Sequence, residues 1–207
     1  MVNAFHQPDN LHRYSSPIKY ITHQHKMKKR LFLLTVFTLS LFCSFAQVKW
    51  TTIEKASTIH NDKLYMVDFY TSWCGWCKKM DNETFSNPIV VKILNKYYNP
   101  VKFNAEGNAE FNWNGMKYSS TPTPPGNHPA THVFAKTILG PKMGFPSFGI
   151  FNKDQSTITV VQGYNNADDF AMILWYFASE DYKKYPFEKY QEIFDNQIRP
   201  EMLNKLK

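Results

Sequence analysis

Three cysteines in 207 residues are too few for a disulfide framework, and two of them stand only three positions apart. A framework needs widely spaced pairs that close long loops. A standard membrane span is also lacking: the uninterrupted stretch Leu31–Ala46 falls short of the roughly 20 apolar residues a spanning helix takes. No internal repeat is present. Charge of one sign is missing from most of the chain. The net charge is +7, but residues 1–46 hold six Lys/Arg and one Asp, whereas residues 47–207 hold 18 Lys/Arg and 16 Asp/Glu. The body is close to balance, which excludes nucleic acid as a main partner. Aromatics are plentiful at 16%, which argues against a disordered protein. The length suits one domain with a full core plus extra segments.

The basic excess sits in a segment with the three parts of a secretory signal. Met27-Lys28-Lys29-Arg30 is a basic start, Leu31–Phe42 an apolar centre, and Ser44-Phe45-Ala46 puts small residues before a cut at Gln47. Residues 27–46 are expected to be a signal peptide, and the protein to be exported to the periplasm. The alternative is an uncleaved anchor over residues 31–46. Lipid attachment at Cys43 is disfavoured by bulky Phe42 before it. Residues 1–26 are polar, carry His6, His12, His23 and His25 at irregular spacing, and show no helical or strand period. They are expected to be a disordered extension or a misassigned start, with translation beginning at Met27. Residues 47–207 then form the mature domain, with Cys74 and Cys77 its only cysteines.

Within that domain, Thr52–Ala56 predicts a first helix ending near His60-Asn61-Asp62. Leu64–Tyr70 is a nearly continuous apolar run, as for a strand buried on both faces of a parallel sheet. Asp68 alone interrupts it. A helix is expected from about Cys74 through Met80. Asn87 caps a second one with Pro88 at its first position, running through Lys96. Pro100–Asn104 reads as the next strand, and 112–118 as a hairpin turning at Asn114-Gly115. Ala130–Leu139 is expected to be a helix, 146–151 and 157–161 strands, Asp168–Phe177 a helix and Phe187–Ile198 an added C-terminal one. This is an α/β chain with a mixed central sheet flanked by helices.

Two cysteines at i and i+3, opening a helix directly after a buried strand, bring their sulfurs within disulfide reach. The first sulfur lies near the unpaired N–H groups and positive dipole end of the helix, which favour its thiolate, the attacking form in disulfide exchange. Cys74 is therefore the candidate nucleophile, and Cys77, one turn inside and more shielded, the resolving thiol. A carboxylate in an apolar strand is costly unless it has a task or a partner. Burial raises its pKa, so Asp68 is a candidate to take or give the Cys77 proton, directly or through a water. Its competing role is a hydrogen bond to nearby backbone.

Val67-Asp68-Phe69-Tyr70-Thr71-Ser72-Trp73-Cys74-Gly75-Trp76-Cys77-Lys78 resembles the active-site stretch of the thioredoxin superfamily. The likeness spans about residues 48–178 and is closest to exported bacterial thioredoxin-like proteins with a Cys-Gly-Trp-Cys centre. It implies a thioredoxin-like fold with an insert, about 106–127, before a strand opened by a cis-proline, Pro146. It also implies that the Phe145 backbone pairs with an extended substrate, and that Pro146 keeps the thiols from capturing a metal. Gly163 would line the substrate groove beside Trp73, Gly75 and Trp76. Two features depart from thioredoxin itself: Gly75-Trp76 replaces Gly-Pro, and Phe145 is bulkier than the usual Thr or Val.

The leading expectation is an enzyme that reduces protein disulfides outside the cytoplasm, with no cofactor beyond its own disulfide. The absence of a His between the cysteines favours a reductant. A reductant there needs electrons, so a membrane-bound thiol donor is an expected partner besides the protein thiol and disulfide substrates. The protein is expected to be a monomer. Alternatives are a disulfide oxidase or isomerase, a dithiol metal-binding module, and a non-catalytic domain with a structural disulfide. Two sulfurs make only half a zinc site, and no metal is expected. His128 and His132 are expected to cap or pack rather than bind metal, and Lys78 and Lys79 to form a solvated face. Residues 106–127 with the following helix are expected to form a lid or docking face near the groove.

Overall fold

The computed structural model describes residues 47–120, 122–123 and 129–207. The extension 1–26, the leader 27–46 with Cys43, the anchor alternative 31–46, His128 and residues 121 and 124–127 lie outside the described residues.

In chain order the elements are α1 (Ile53–Ala56), β1 (Leu64–Tyr70), α2 (Gly75–Glu83), α3 (Pro88–Tyr97), β2 (Tyr98–Asn104), β3 (Phe111–Trp113), β4 (Met116–Tyr118), α4 (Val133–Leu139), β5 (Ser147–Phe151), β6 (Thr157–Gln162), α5 (Ala167–Ala178), α6 (Phe187–Ile193) and α7 (Arg199–Lys205). The apolar run of β1 makes it an inner strand. It pairs parallel with β2 and antiparallel with β5, and β6 lies antiparallel on the outer side of β5. The result is a thioredoxin-like mixed sheet in the order β2-β1-β5-β6.

Alternation along β1 divides the core into two layers. Met66 joins Phe148 and Ile150 of β5 against Met80 of α2, Val90 and Leu94 of α3, and Phe170 and Leu174 of α5. Tyr65, Val67 and Phe69 face the opposite layer, with Ile53 of α1, Phe111, Trp113 and Tyr118 of the hairpin, and Phe134 of α4. Asp68, in step with Met66, thus lies on the face that α2 covers. Gly149 is required by packing: a Cβ there would come within 2.5 Å of the Phe151 ring and 3.2 Å of the Phe69 ring.

Local signals place several boundaries. Asn87 Oδ1 accepts the Ile89 and Val90 N–H groups at the start of α3, with Pro88 at the first position. Asn114 and Gly115 both have positive φ, 48° and 74°, as a two-residue hairpin turn demands.

Other expectations need correction. The first helix is a single turn that stops at Ala56 rather than reaching residue 60. The helix expected from Ala130 begins at Val133, because His132 is its cap: Nδ1 accepts the Phe134 N–H at 3.0 Å, and Nε2 pairs with the Ala109 carbonyl at 2.9 Å. The C-terminal helix does not end at Ile198. After a wider π-type segment, Phe194–Ile198, it continues as α7 to Lys205, with Pro200 in the first turn, where its missing N–H is harmless. In the segment expected to form a lid or docking face, the hairpin packs inward. Phe111, Trp113 and Tyr118 are buried around Phe134, with ring centroids 5.2, 5.8 and 5.0 Å from it. Each such side chain stabilises the fold by roughly 1.5–3 kcal/mol when buried, so the hairpin is part of the core.

Candidate active site

At the end of β1 the chain turns through Thr71-Ser72-Trp73 into α2. Cys74 occupies the cap position, with extended backbone, where a Ser, Thr or Asp usually stands. Its Sγ accepts the Cys77 N–H at 3.1 Å, and its own N–H donates to the Thr71 carbonyl. Cys74 and Cys77 are joined as a disulfide, with their Cα atoms 5.3 Å apart. When the bond is reduced, the Cys74 sulfur sits where a helix N-terminus stabilises negative charge. The expected difference in shielding is absent from this oxidised form, since both residues are 4% exposed.

Two loops pack on the tryptophans that flank the pair. Phe145–Pro146, whose peptide bond is cis, opens β5. The Pro146 carbonyl accepts the Gly163 N–H at 2.9 Å, which ties this loop to the end of β6. Gly163 has a φ of +90°, a conformation that suits glycine. The Phe145 ring packs edge-on against Trp73 at 6.3 Å, and Tyr164, next to Gly163, lies 5.5 Å from Trp76. Of the expected groove residues, Trp73 and Phe145 thus meet directly, Gly163 is bonded to Pro146, and Trp76 meets the neighbour of Gly163. Gly75 has open space where a side chain would stand.

Asp68 is 1% exposed. Neither backbone pairing nor isolation describes its state. Its Oδ2 lies 2.6 Å from Lys102 Nζ, the residue in register with it on β2. Lys102 also pairs with Asp81 of α2, and its ammonium faces the rings of Trp50, Tyr70 and Phe85 at 4.9–5.2 Å. Asp68 Oδ1 has no hydrogen-bond partner among the described residues. Burial pushes the Asp68 carboxyl up to about 6, against the opposing pull of Lys102. For Lys102, partial burial works to lower the pKa, but the two carboxylates outweigh it and hold the ammonium charged.

Sequence reasoning missed Lys102, Asp81, Glu106 and Tyr164. The signal for Lys102 was a lone charge in an apolar strand, the mirror of Asp68. Glu106, whose two carboxylate oxygens accept the Trp73 indole N–H at 3.0 and 3.1 Å, gives no signal in sequence. Among the described residues no three His, Cys, Asp or Glu side chains gather as a metal site would require, and no helix is long and apolar enough to cross a membrane.

The chain is 40% identical over 52 residues to the thiol:disulfide interchange protein DsbD of Photorhabdus laumondii; the match spans 25% of the chain and 9% of that protein's length. In three dimensions it is similar to a thioredoxin from Thermus thermophilus, with TM-score 0.47 and 15% identity over 65% of this chain and 89% of that one. It is likewise similar to a putative disulphide-isomerase from Bacteroides thetaiotaomicron, with TM-score 0.45 and 18% identity over 64% of this chain and 92% of that one. A family profile described as a thioredoxin-like domain matches residues 53–178, more than half of the sequence and the whole span from α1 to the end of α5. The chain belongs to the thioredoxin-like family.

Proposed function

We propose that this protein is an exported thiol–disulfide oxidoreductase that reduces protein disulfides. The observation that carries the reading is the Cys74–Cys77 pair capping α2 above a sheet face that holds a buried Asp68 with one unpartnered oxygen. The likeness to a protein named for thiol:disulfide interchange supports the same chemistry.

The reaction runs in two exchanges. The Cys74 thiolate attacks one sulfur of a substrate disulfide, forms a mixed disulfide and releases the other sulfur as a thiolate. Cys77 then loses its proton to Asp68, directly or through a water, and attacks Cys74 Sγ. The second substrate thiolate leaves, and Cys74–Cys77 is left oxidised by two electrons. Trp73, Gly75, Trp76, Phe145, Pro146 and Gly163 border the space where the substrate segment lies. The cycle needs no cofactor besides the cysteine pair. It needs two electrons from a thiol donor, assigned here to a membrane-bound partner because an envelope compartment favours oxidised thiols. Export rests on the leader 27–46, and N-terminal sequencing from the native host is expected to find Gln47 first.

Equilibration of the protein with glutathione buffers tests the direction. A reduction potential near −270 mV, about that of thioredoxin, is expected. A value near −180 mV, about that of protein disulfide isomerase, would replace the reductase with a folding catalyst.

A further inference from the structure

The two tryptophans beside the dithiol are the most exposed large apolar side chains among the described residues, Trp73 at 67% and Trp76 at 59%. Apolar surface left in water next to a reactive centre marks a place where something binds. Neither ring is loose. Trp73 is held by Phe145 and by the Glu106 carboxylate. Trp76 is held by a set outside the cysteine motif. Its ring lies 5.5 Å from that of Tyr164, and the Tyr164 hydroxyl donates to Glu83 Oε2 at 2.7 Å. Lys79 reaches over both rings, 5.9 Å from Trp76 and 5.4 Å from Tyr164, and pairs with Glu83 at 3.3 Å. Lys79 and Glu83 are one turn apart on α2, and Tyr164 follows Gly163 on the far side of the groove. The stack therefore bridges α2 to the turn after β6, and the bond from Gly163 to Pro146 ties that turn to the facing loop.

Given disulfide exchange at Cys74, as read above, we propose that Tyr164, anchored by Glu83, is a positioning residue that fixes Trp76 as one wall of the substrate cleft. The wall favours extended polypeptide segments that lay an apolar side chain beside the reacting cysteine. The physical reason is ordering cost. A free indole must be immobilised when a substrate packs on it, whereas one already packed against a ring and an ammonium is ordered in part by the fold. Immobilising one such side chain corresponds to roughly a 3- to 10-fold change in binding. A small disulfide that never touches Trp76 gains nothing from the clamp. The assignment separates binding from chemistry: Tyr164 acts through Trp76 and not on the sulfurs.

The test compares the protein with its Tyr164→Ala and Tyr164→Phe variants on two substrates, insulin and hydroxyethyl disulfide, and measures the reduction potential of each form. In Tyr164→Ala the insulin KM is expected to rise roughly 3- to 10-fold with kcat within about twofold. The ratio of insulin to small-disulfide efficiency should fall by the same factor, and the potential should stay in place. Tyr164→Phe keeps the ring and loses only the Glu83 bond, so its KM should rise by about twofold or less. An unchanged insulin KM in Tyr164→Ala, or an equal loss on both substrates, would overturn the proposal. If the unaltered protein reduces neither substrate, the exchange reading fails and this assignment with it.

Discussion

Asp68 and Asp181 are two carboxylates removed from water, at 1% and 7% exposure, and their surroundings differ in kind. Asp181 opens a short 3₁₀ turn after α5, and its partners lie within three residues. Oδ2 accepts the Ser179 hydroxyl at 2.7 Å, and Oδ1 accepts Lys184 Nζ at 3.0 Å. Both oxygens are used. Asp68 sits mid-strand, relies on a lysine from the neighbouring strand, and leaves Oδ1 without a partner among the described residues. A buried carboxylate whose two oxygens both find local partners stabilises a turn. One with an oxygen to spare costs stability and keeps a place for a proton.

The largest expected effect comes from removing the spare oxygen's chemistry. Asp68→Asn preserves volume but cannot accept the Cys77 proton, so disulfide reduction near neutral pH should slow by about 100-fold, the lower range for losing a positioned acid–base group. The same variant should be more stable. The Asp68 carboxyl is raised to about 6 in the fold, against an unfolded value of about 3.9. Between those values the folded state binds more protons, so this group's contribution to stability falls as pH rises from about 4 to about 6 and stays low above that. Asp68→Asn should therefore gain roughly 1–3 kcal/mol at pH 7 and lose that pH dependence, as urea unfolding at pH 4.5 and 7 would check. A variant less stable than the parent at pH 7 would contradict the assigned cost.

Lys102→Met has the next largest expected effect. It removes the cation that opposes the rise in the Asp68 pKa, so the pH midpoint for reduction should move upward by about one unit. A pH–rate profile measures this, and a downward shift would contradict the pairing. The smallest effect belongs to Asp181→Asn, which should cost about 1 kcal/mol of unfolding free energy and leave the rate of insulin reduction in place. A comparable loss of rate there would erase the distinction between the two aspartates.

The features legible in the sequence were those decided locally. The apolar run into Cys74, the Asn87-Pro88 helix start and the Asn114-Gly115 turn each carry their own backbone chemistry. What stayed hidden depends on register or packing. Lys102 meets Asp68 only because β2 pairs with β1 in parallel at that step. The hairpin itself could be read from its turn, but its packing into the core could not, because the apolar partners of Trp113, Phe134 and Phe151, lie far along the chain. Arg199-Pro200 looked like a helix end, since a proline at the start of a continuing helix is indistinguishable in sequence from one that stops it. Cys74, Cys77, Asp68 and Phe145 could be named from the sequence as candidates, whereas Lys102, Glu106 and Tyr164, which hold Asp68, Trp73 and Trp76, could not.

In the proposed exchange Cys74 attacks and Cys77 resolves. Mapping mixed disulfides by mass spectrometry in the Cys77→Ala and Cys74→Ala variants, each mixed with a disulfide substrate, tests it most directly. Stable adducts are expected on Cys74 when Cys77 is absent, and few on Cys77 when Cys74 is absent. Equal trapping by both, or by neither, would contradict it.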